Sequence, residues 1–202
     1  MKLYYSPGVC SQAPHIVLRE AGLDFTLEKV DAKTKKTEFG ADYLAINPNG
    51  YVPALEVEPG LMLTEGPAIM QFIADKKPAA KLAPANGSLE RYQLQSWLNF
   101  ITSELHKSYS PLFKPNMPTE AKTIYRDLIA QRLQTFEQRF AKQDFVLESG
   151  FSIADAYLFV VTGWSGFVGV DLNNFPNVTA FRERVKQRPA VQAALEAEGL
   201  LK

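Results

Sequence analysis

The sequence predicts a chain of two parts, an α/β unit followed by an all-helical bundle, and three observations carry that prediction. In the first part, short apolar runs with strand-like alternation interleave with helical stretches in the order β-α-β-α-β-β-α. Residues 80–86 then form a linker, in a neighbourhood that holds Pro78, Pro84, Gly87 and several alanines. Beyond it strand signals nearly vanish, and apolar residues recur at the three- and four-residue spacing of amphipathic helices. The expected units are 1–79 and 87–202.

The first strand is the apolar run Leu3 to Tyr5. A helix follows from about Ser11 to Ala21 and closes at Gly22, a residue that readily takes the left-handed conformation of a helix end. Phe25 to Val30 alternates as a strand. After a polar stretch carrying Lys33, Lys35 and Lys36 comes a short helical piece near Asp42–Ile46. Ala54–Val57 and Leu61–Leu63 read as brief strands separated by the turn pair Pro59-Gly60, and a third helix runs from about Glu65 to Lys76. This order describes a small sheet of mixed direction with helices on its faces. It carries neither the GxGxxG of a dinucleotide fold nor a Walker A loop. In the second part, Leu94, Leu98, Ile101 and Leu105 mark one long helix and Ile129, Leu133, Phe136 and Phe140 another, with Ser110–Pro118 between them. Pro176 and Pro189 each precede a further short helix, the last ending at Gly199. Ser152-Ile-Ala-Asp155 before an apolar run is a capping box: the Ser152 hydroxyl accepts from the Asp155 N–H, the carboxylate reaches back to the Ser152 N–H, and Phe151 serves as a hydrophobic staple.

Composition removes several classes of function. Lys+Arg and Asp+Glu balance at 22 each, so no global field holds nucleic acid or an anionic membrane. A single cysteine precludes an internal disulfide framework and a CxxC pair, and with only His15 and His106 the usual zinc ligand set cannot be completed, so no metal is expected. The stretch from Met1 reaches turn residues by Pro7 without an apolar signal-peptide core, and nowhere do about 18 apolar residues run together. The expectation is a cytoplasmic protein in a reducing compartment.

Three segments belong together if the first unit is thioredoxin-like. Cys10 follows a strand and turn and precedes a helix, where unpaired N–H groups and the positive dipole end stabilise a thiolate and lower a cysteine pKa from about 8.5. The alternative is a small buried hydrophobe. Val52-Pro53 opens a strand and is a candidate cis bond, which frees the backbone before it to pair with an extended peptide; the alternative is a trans turn. Thr64-Glu65-Gly66-Pro67 opens the third helix with free N–H groups for an anion and a carboxylate for an ammonium; the alternative is simple capping. Taken singly, Lys35 reads as a solvated lysine, His106 as a boundary histidine beside an apolar stripe, and Tyr5 as a packed strand aromatic.

Together with Tyr5-Ser-Pro-Gly-Val-Cys10-Ser11 and Asn47-Pro-Asn-Gly-Tyr-Val-Pro53, the runs Leu63-Thr-Glu65-Gly66, Trp97-Leu-Asn99-Phe, Ser103-Glu-Leu-His106-Lys107 and Phe151-Ser-Ile-Ala-Asp155 carry a resemblance. The chain resembles a cytosolic glutathione S-transferase of the bacterial beta class, over essentially its whole length and without large insertions. The Val-Pro and Ser-Ile-Ala-Asp elements mark the superfamily, while Cys10 with His106-Lys107 points to the beta class.

The resemblance implies the glutathione transferase fold, a homodimer, and glutathione as cosubstrate with no permanently bound cofactor. It implies that Cys10 and His106 are catalytic, with Cys10 contacting the glutathione sulfur and able to form a mixed disulfide with it. Ser11, Lys35, Val52, Pro53, Glu65, Gly66, Asn99, Ser103 and Lys107 would complete the glutathione site. In that scheme Val52 pairs with the cysteinyl part, Glu65 and Gly66 hold the γ-glutamyl end, and Lys35 approaches the glycyl carboxylate. Ser103, His106 and Lys107 line the thiol side, and Asn99 contributes from the helical part. The implied reaction joins the glutathione thiol to hydrophobic electrophiles in a detoxifying role, with thiol-disulfide exchange or peroxide reduction through Cys10 beside it. A non-catalytic ligand-binding protein of the same fold and a glutathione-dependent dehalogenase are the alternatives. Two positions depart from the pattern: Glu148 stands where relatives commonly place a glycine before the Ser152 cap, and Tyr51 where they carry a polar residue. Tyr51 is expected against a partner subunit or a cleft wall.

Overall fold

The computed structural model describes residues 1–201; Lys202, the last residue of the expected second unit, lies outside them. In chain order the elements are β1 (Lys2–Tyr5), α1 (Gln12–Glu20), β2 (Thr26–Lys29), α2 (Tyr43–Ile46), β3 (Ala54–Glu58), β4 (Leu61–Thr64) and α3 (Gly66–Lys76). There follow α4 (Leu89–Phe100), a π-helical segment (Ile101–His106), α5 (Lys107–Tyr109), α6 (Thr119–Phe140), α7 (Ile153–Thr162), α8 (Ser165–Val168), α9 (Pro176–Lys186) and α10 (Pro189–Ala197). Short 3-10 turns fill Pro78–Ala80, Ser110–Phe113 and Leu172–Asn174. No helix among the described residues is long and apolar enough to cross a membrane.

The chain packs as two compact units, Met1–Ala83 with everything from Arg188 on, and Pro84–Gln187. In the first, the sheet runs β2-β1-β3-β4, with β1 parallel to β2 and antiparallel to β3, and β3 antiparallel to β4. That is the expected thioredoxin-like mixed sheet. The period-two alternation of β1 sends Tyr4 to one face, where it clusters with Val30, Tyr43 and Ala54. On the other, Leu3 is buried with the apolar stripes of α1 (Ile16, Val17) and α3 (Ile69, Ile73), helices that pack on each other. Asp42 caps α2 by accepting from the Leu44 N–H at 3.0 Å.

The first unit is not contiguous in sequence. Helix α10 packs on α1, and Arg188 makes a forked ion pair with Glu20 at 2.6 and 2.9 Å. Just past α10, Glu198 is enclosed: its carboxylate accepts from the Gly8 N–H (2.9 Å), Gln12 Nε2 (3.1 Å) and His15 Nδ1 (2.8 Å). The sequence reading drew the second unit through to residue 202, whereas by packing this last helix lies with the first.

The helical unit is built around α7, every residue of which is buried, in keeping with its unbroken apolar run. Its N-terminus carries the expected capping box. The Asp155 carboxylate accepts from the Ser152 N–H and the Ser152 hydroxyl, both at 2.8 Å, and its other oxygen takes the Val146 N–H at 2.7 Å. Phe151 meets Phe145 edge-on. Burial pushes the Asp155 carboxyl up to about 6, against the pull of these bonds. Glu137, in the last turn of α6, accepts from the Asn177 and Val178 N–H groups at 3.0 Å and so closes the N-terminus of α9.

One departure is local. The spacing of Leu94, Leu98, Ile101 and Leu105 predicts an unbroken α-helix, but the turn at Ile101–His106 is widened to a π form. Here Thr102 and Ser103 donate to the Leu98 and Asn99 carbonyls at 2.7 and 2.9 Å, side-chain bonds of the kind that can bend a helix.

Candidate active site

The sheet register assembles the first-unit residues. Ala54 pairs with Tyr4 on one side and Thr64 on the other, so the end of β1, the start of β3 and the end of β4 lie abreast. Cys10, Val52-Pro53 and Glu65-Gly66 extend from those three strand ends. Helices α1 and α3 also open at this end with their positive dipole ends, although in α1 the Gln12 and Ala13 N–H groups are already taken by the Val9 and Cys10 carbonyls.

The turn that presents Cys10 is closely framed. Gly8 adopts φ +70°, and its N–H is held by Glu198. A β-carbon there would lie 3.6 Å from a methyl group of Leu200. Ser11 is fully buried, and its hydroxyl accepts from the Ser6 N–H and donates to the Ser6 carbonyl, both at 3.1 Å. Ser11 thus staples the two ends of the turn, because a hydroxyl between strand and helix is the nearest partner for the Ser6 backbone. Cys10 itself is half-buried, not the enclosed hydrophobe of the alternative, and its thiol donates to the Val52 carbonyl at 3.2 Å.

The Val52-Pro53 bond is cis, as the sequence suggested. The residue before it is anchored twice: the Tyr51 carbonyl accepts from Tyr43 Oη at 2.8 Å and from Asn47 Nδ2 at 2.7 Å. Lys35 donates to the Gly50 carbonyl at 2.8 Å, with its ammonium 5.9 Å from the Tyr51 ring centroid, and so joins the same loop. Tyr51 is 74% exposed. Gly66 lies beside Pro53, since a β-carbon on it would stand 3.8 Å from Pro53 Cγ.

Glu65 is the most unusual residue of the set. It sits at the N-cap of α3 with φ +65° and ψ 112°, and its exposed side chain makes no capping bond. Simple capping therefore does not explain it. Three non-glycine residues among those described have positive φ, namely Lys35, Glu65 and Lys81. Two of the three belong to the candidate set, and strain of this kind concentrates at binding and catalytic positions. Tyr5 is buried and packs near His15, and burial raises its hydroxyl pKa.

The helical unit supplies a second group. Asn99, Ser103 and Lys107 are exposed, and the Ser103 hydroxyl donates to the Asn99 carbonyl at 2.9 Å. His106 is half-buried: its Nδ1 lies 2.6 Å from Tyr157 Oη, and its ring lies 4.9 Å from that of Trp164. Burial, helped by the charge of Lys107, brings its pKa down to about 4, so the imidazole is neutral near pH 7. A cleft of about 520 Å³ elsewhere in this unit, walled by Trp97, Arg139 and Glu148 among others, contains none of the candidate residues.

The sequence reading missed Tyr43, Asn47 and Glu198 as framing residues and Tyr157 and Trp164 as the surroundings of His106. Asn47 had a signal in its Asn-Pro-Asn-Gly turn. The others are joined to the candidates only by tertiary pairing.

Residues 8–76 match the family described as glutathione S-transferase, N-terminal domain, and residues 100–189 the corresponding C-terminal domain. The chain is 46% identical over 200 residues to glutathione S-transferase GstA of Escherichia coli O157:H7, covering 99% of this chain and 100% of that protein. Among solved structures it is similar to BphK, a bacterial GST in a ternary complex, with a TM-score of 0.97 and 56% identity over 99% of this chain and 100% of that one. A sphingomonad glutathione S-transferase complexed with glutathione gives 0.95 and 49% over the full length of both chains. A bacterial beta class enzyme of Sphingomonas chungbukensis gives 0.96 and 49%, again over both full lengths.

Proposed function

The chain belongs to the glutathione S-transferase family, beta class, and from that premise we propose how its residues divide the work of the enzyme. It is a glutathione transferase, joining the glutathione thiol to hydrophobic electrophiles. In the proposed division, Cys10 meets the glutathione sulfur, the Val52 backbone pairs with the cysteinyl part, Glu65 and Gly66 hold the γ-glutamyl end, and Lys35 approaches the glycyl carboxylate. Ser11 serves by bracing the turn. The observation that carries this reading is the meeting of a half-buried thiol, the cis Val52-Pro53 backbone it bonds to and an uncapped carboxylate at one end of the sheet. Those three groups complement a thiol peptide with a zwitterionic end.

The roles of Asn99, Ser103, His106 and Lys107 rest on the family resemblance, with the half-buried, neutral His106 as supporting observation. The proposed chemistry needs no resident cofactor. A homodimer with Tyr51 at the subunit contact, hydrophobic electrophiles as second substrates and a cytoplasmic location complete the reading; the exposed Tyr51 ring supports the first of these.

Beside conjugation, Cys10 supports thiol-disulfide exchange. Its thiolate attacks a glutathione mixed disulfide, forming a Cys10-glutathione disulfide and expelling the other thiolate; a second glutathione then regenerates Cys10 and leaves as oxidised glutathione. Intact mass spectrometry after incubation with oxidised glutathione tests this. One glutathionyl adduct on the wild type and none on Cys10→Ala is expected, and no adduct on either protein would refute the exchange role. Turnover of an aromatic chloronitro substrate, measured alongside, separates the enzyme from a ligand-binding protein of the same fold.

A further inference from the structure

The hydrogen bond between Tyr157 and His106 assigns a proton. The imidazole is neutral, so one ring nitrogen donates and the other accepts. A phenol is a stronger acid than a neutral imidazole N–H, so across the 2.6 Å contact Tyr157 Oη donates and His106 Nδ1 accepts. The hydrogen of His106 is then on Nε2.

We propose that Tyr157 is a positioning residue that holds His106 as the Nε2–H tautomer, so that His106 serves the reaction as a hydrogen-bond donor to a sulfur anion and not as a base that takes the thiol proton. The proposal rests on the reading of His106 as a residue of the glutathione site. Several features hold the pair. Tyr157 is 3% exposed and stands on α7, whose ten residues are all buried and whose start is fixed by Ser152 and Asp155. His106 ends the π-helical segment, which packs against α7. Trp164 lies against the imidazole and is itself met edge-on by Tyr109 and Phe113. Tyr109 is tied to Ser165 by a 2.6 Å hydroxyl contact. A ring flip that exchanged Nδ1 for carbon would break the bond to Tyr157 inside this aromatic enclosure. A donor N–H stabilises a thiolate without having to gain or lose a proton during the reaction.

The chain contains its own control. The other histidine, His15, accepts at Nε2 from Arg19 Nε at 2.9 Å and faces the Glu198 carboxylate with Nδ1 at 2.8 Å, which makes it the opposite tautomer. Long-range ¹H–¹⁵N NMR of the wild-type protein, assigned with His106→Gln, should show one Nδ1–H and one Nε2–H imidazole, the latter from His106. An Nδ1–H signal from His106 overturns the proposal and needs no other variant.

Tyr157→Phe, checked for a native circular dichroism spectrum, should mix the His106 tautomers, leave His15 unchanged and raise the His106 pKa. The loss in kcat/KM for glutathione should be about tenfold, the size of one hydrogen bond. A large loss in His106→Gln together with unchanged rate and tautomer in Tyr157→Phe overturns the positioning role. An unchanged rate in His106→Gln overturns the reading of His106 on which it rests.

Discussion

Replacing Glu198 by Gln should destabilise the first unit far more than its near-isosteric size suggests. The wild-type carboxylate is enclosed and receives Gly8 N–H and Gln12 Nε2 on one oxygen and His15 Nδ1 on the other. Gln offers one oxygen and one NH2. If the oxygen keeps Gly8 and Gln12, the NH2 faces the His15 Nδ1–H, and His15 cannot change tautomer because its Nε2 is taken by Arg19. The reverse rotamer sets the NH2 against two donors. At least one buried donor is therefore stranded, at about 1–3 kcal/mol, and the surviving bonds lose their charge assistance, about 1 kcal/mol each. The sum is about 3–5 kcal/mol. Urea denaturation followed by far-ultraviolet circular dichroism at fixed protein concentration measures it. Tryptophan emission is the wrong probe, because Trp97 and Trp164 both lie in the helical unit. A loss below about 0.5 kcal/mol would refute the reasoning, since that is the effect of an ordinary surface substitution.

Two further expectations concern the helical unit. His106, depressed from 6.5 to about 4, contributes stability that is fully present above pH 6.5 and is lost as pH falls through about 4. Asp155, raised from 3.8 to about 6, contributes stability present below pH 3.8 and lost as pH rises through about 6. Each change is worth about 3 kcal/mol. The gap between wild type and His106→Gln, and between wild type and Asp155→Asn, should thus drift in opposite directions between pH 4 and 7 in urea titrations; parallel curves contradict the assignment. Glu137→Gln weakens the closure of α9 by removing a charge from a helix N-terminus, and should cost about 2 kcal/mol. Here tryptophan emission is the suitable probe, and an unchanged midpoint would show that the carboxylate is dispensable.

What was legible in the sequence was what short-range chemistry writes there. The β-α-β-α-β-β-α order, the Ser152-Asp155 box and the positions of α1, α3 and α6 follow from alternation, periodicity and capping within a few residues, and all appear in the fold. The π turn ending at His106 was not legible, because Leu98, Ile101 and Leu105 keep a helical spacing. The bond from Glu198 to Gly8 spans 190 positions, and that from Tyr157 to His106 spans 51. Neither leaves a local trace. Glu65 was found by its place before Gly66 and Pro67, yet its positive φ, the feature that separates it from a cap, is a property of the folded backbone alone.

The return of the last helix to the first unit bears on how the protein is made. A ribosome delivers β1 to α3 early, and this segment has the elements of a complete sheet-and-helix unit. Its Cys10 turn nevertheless stays without the Glu198 carboxylate until about 120 more residues have been synthesised, roughly 6–24 s later at typical elongation rates. The nascent first unit is thus held unfinished while the helical bundle forms behind it, and a chain that stops short of residue 198 carries its thiol on an unlatched turn. Completion of the Cys10 turn is in this way tied to completion of the polypeptide.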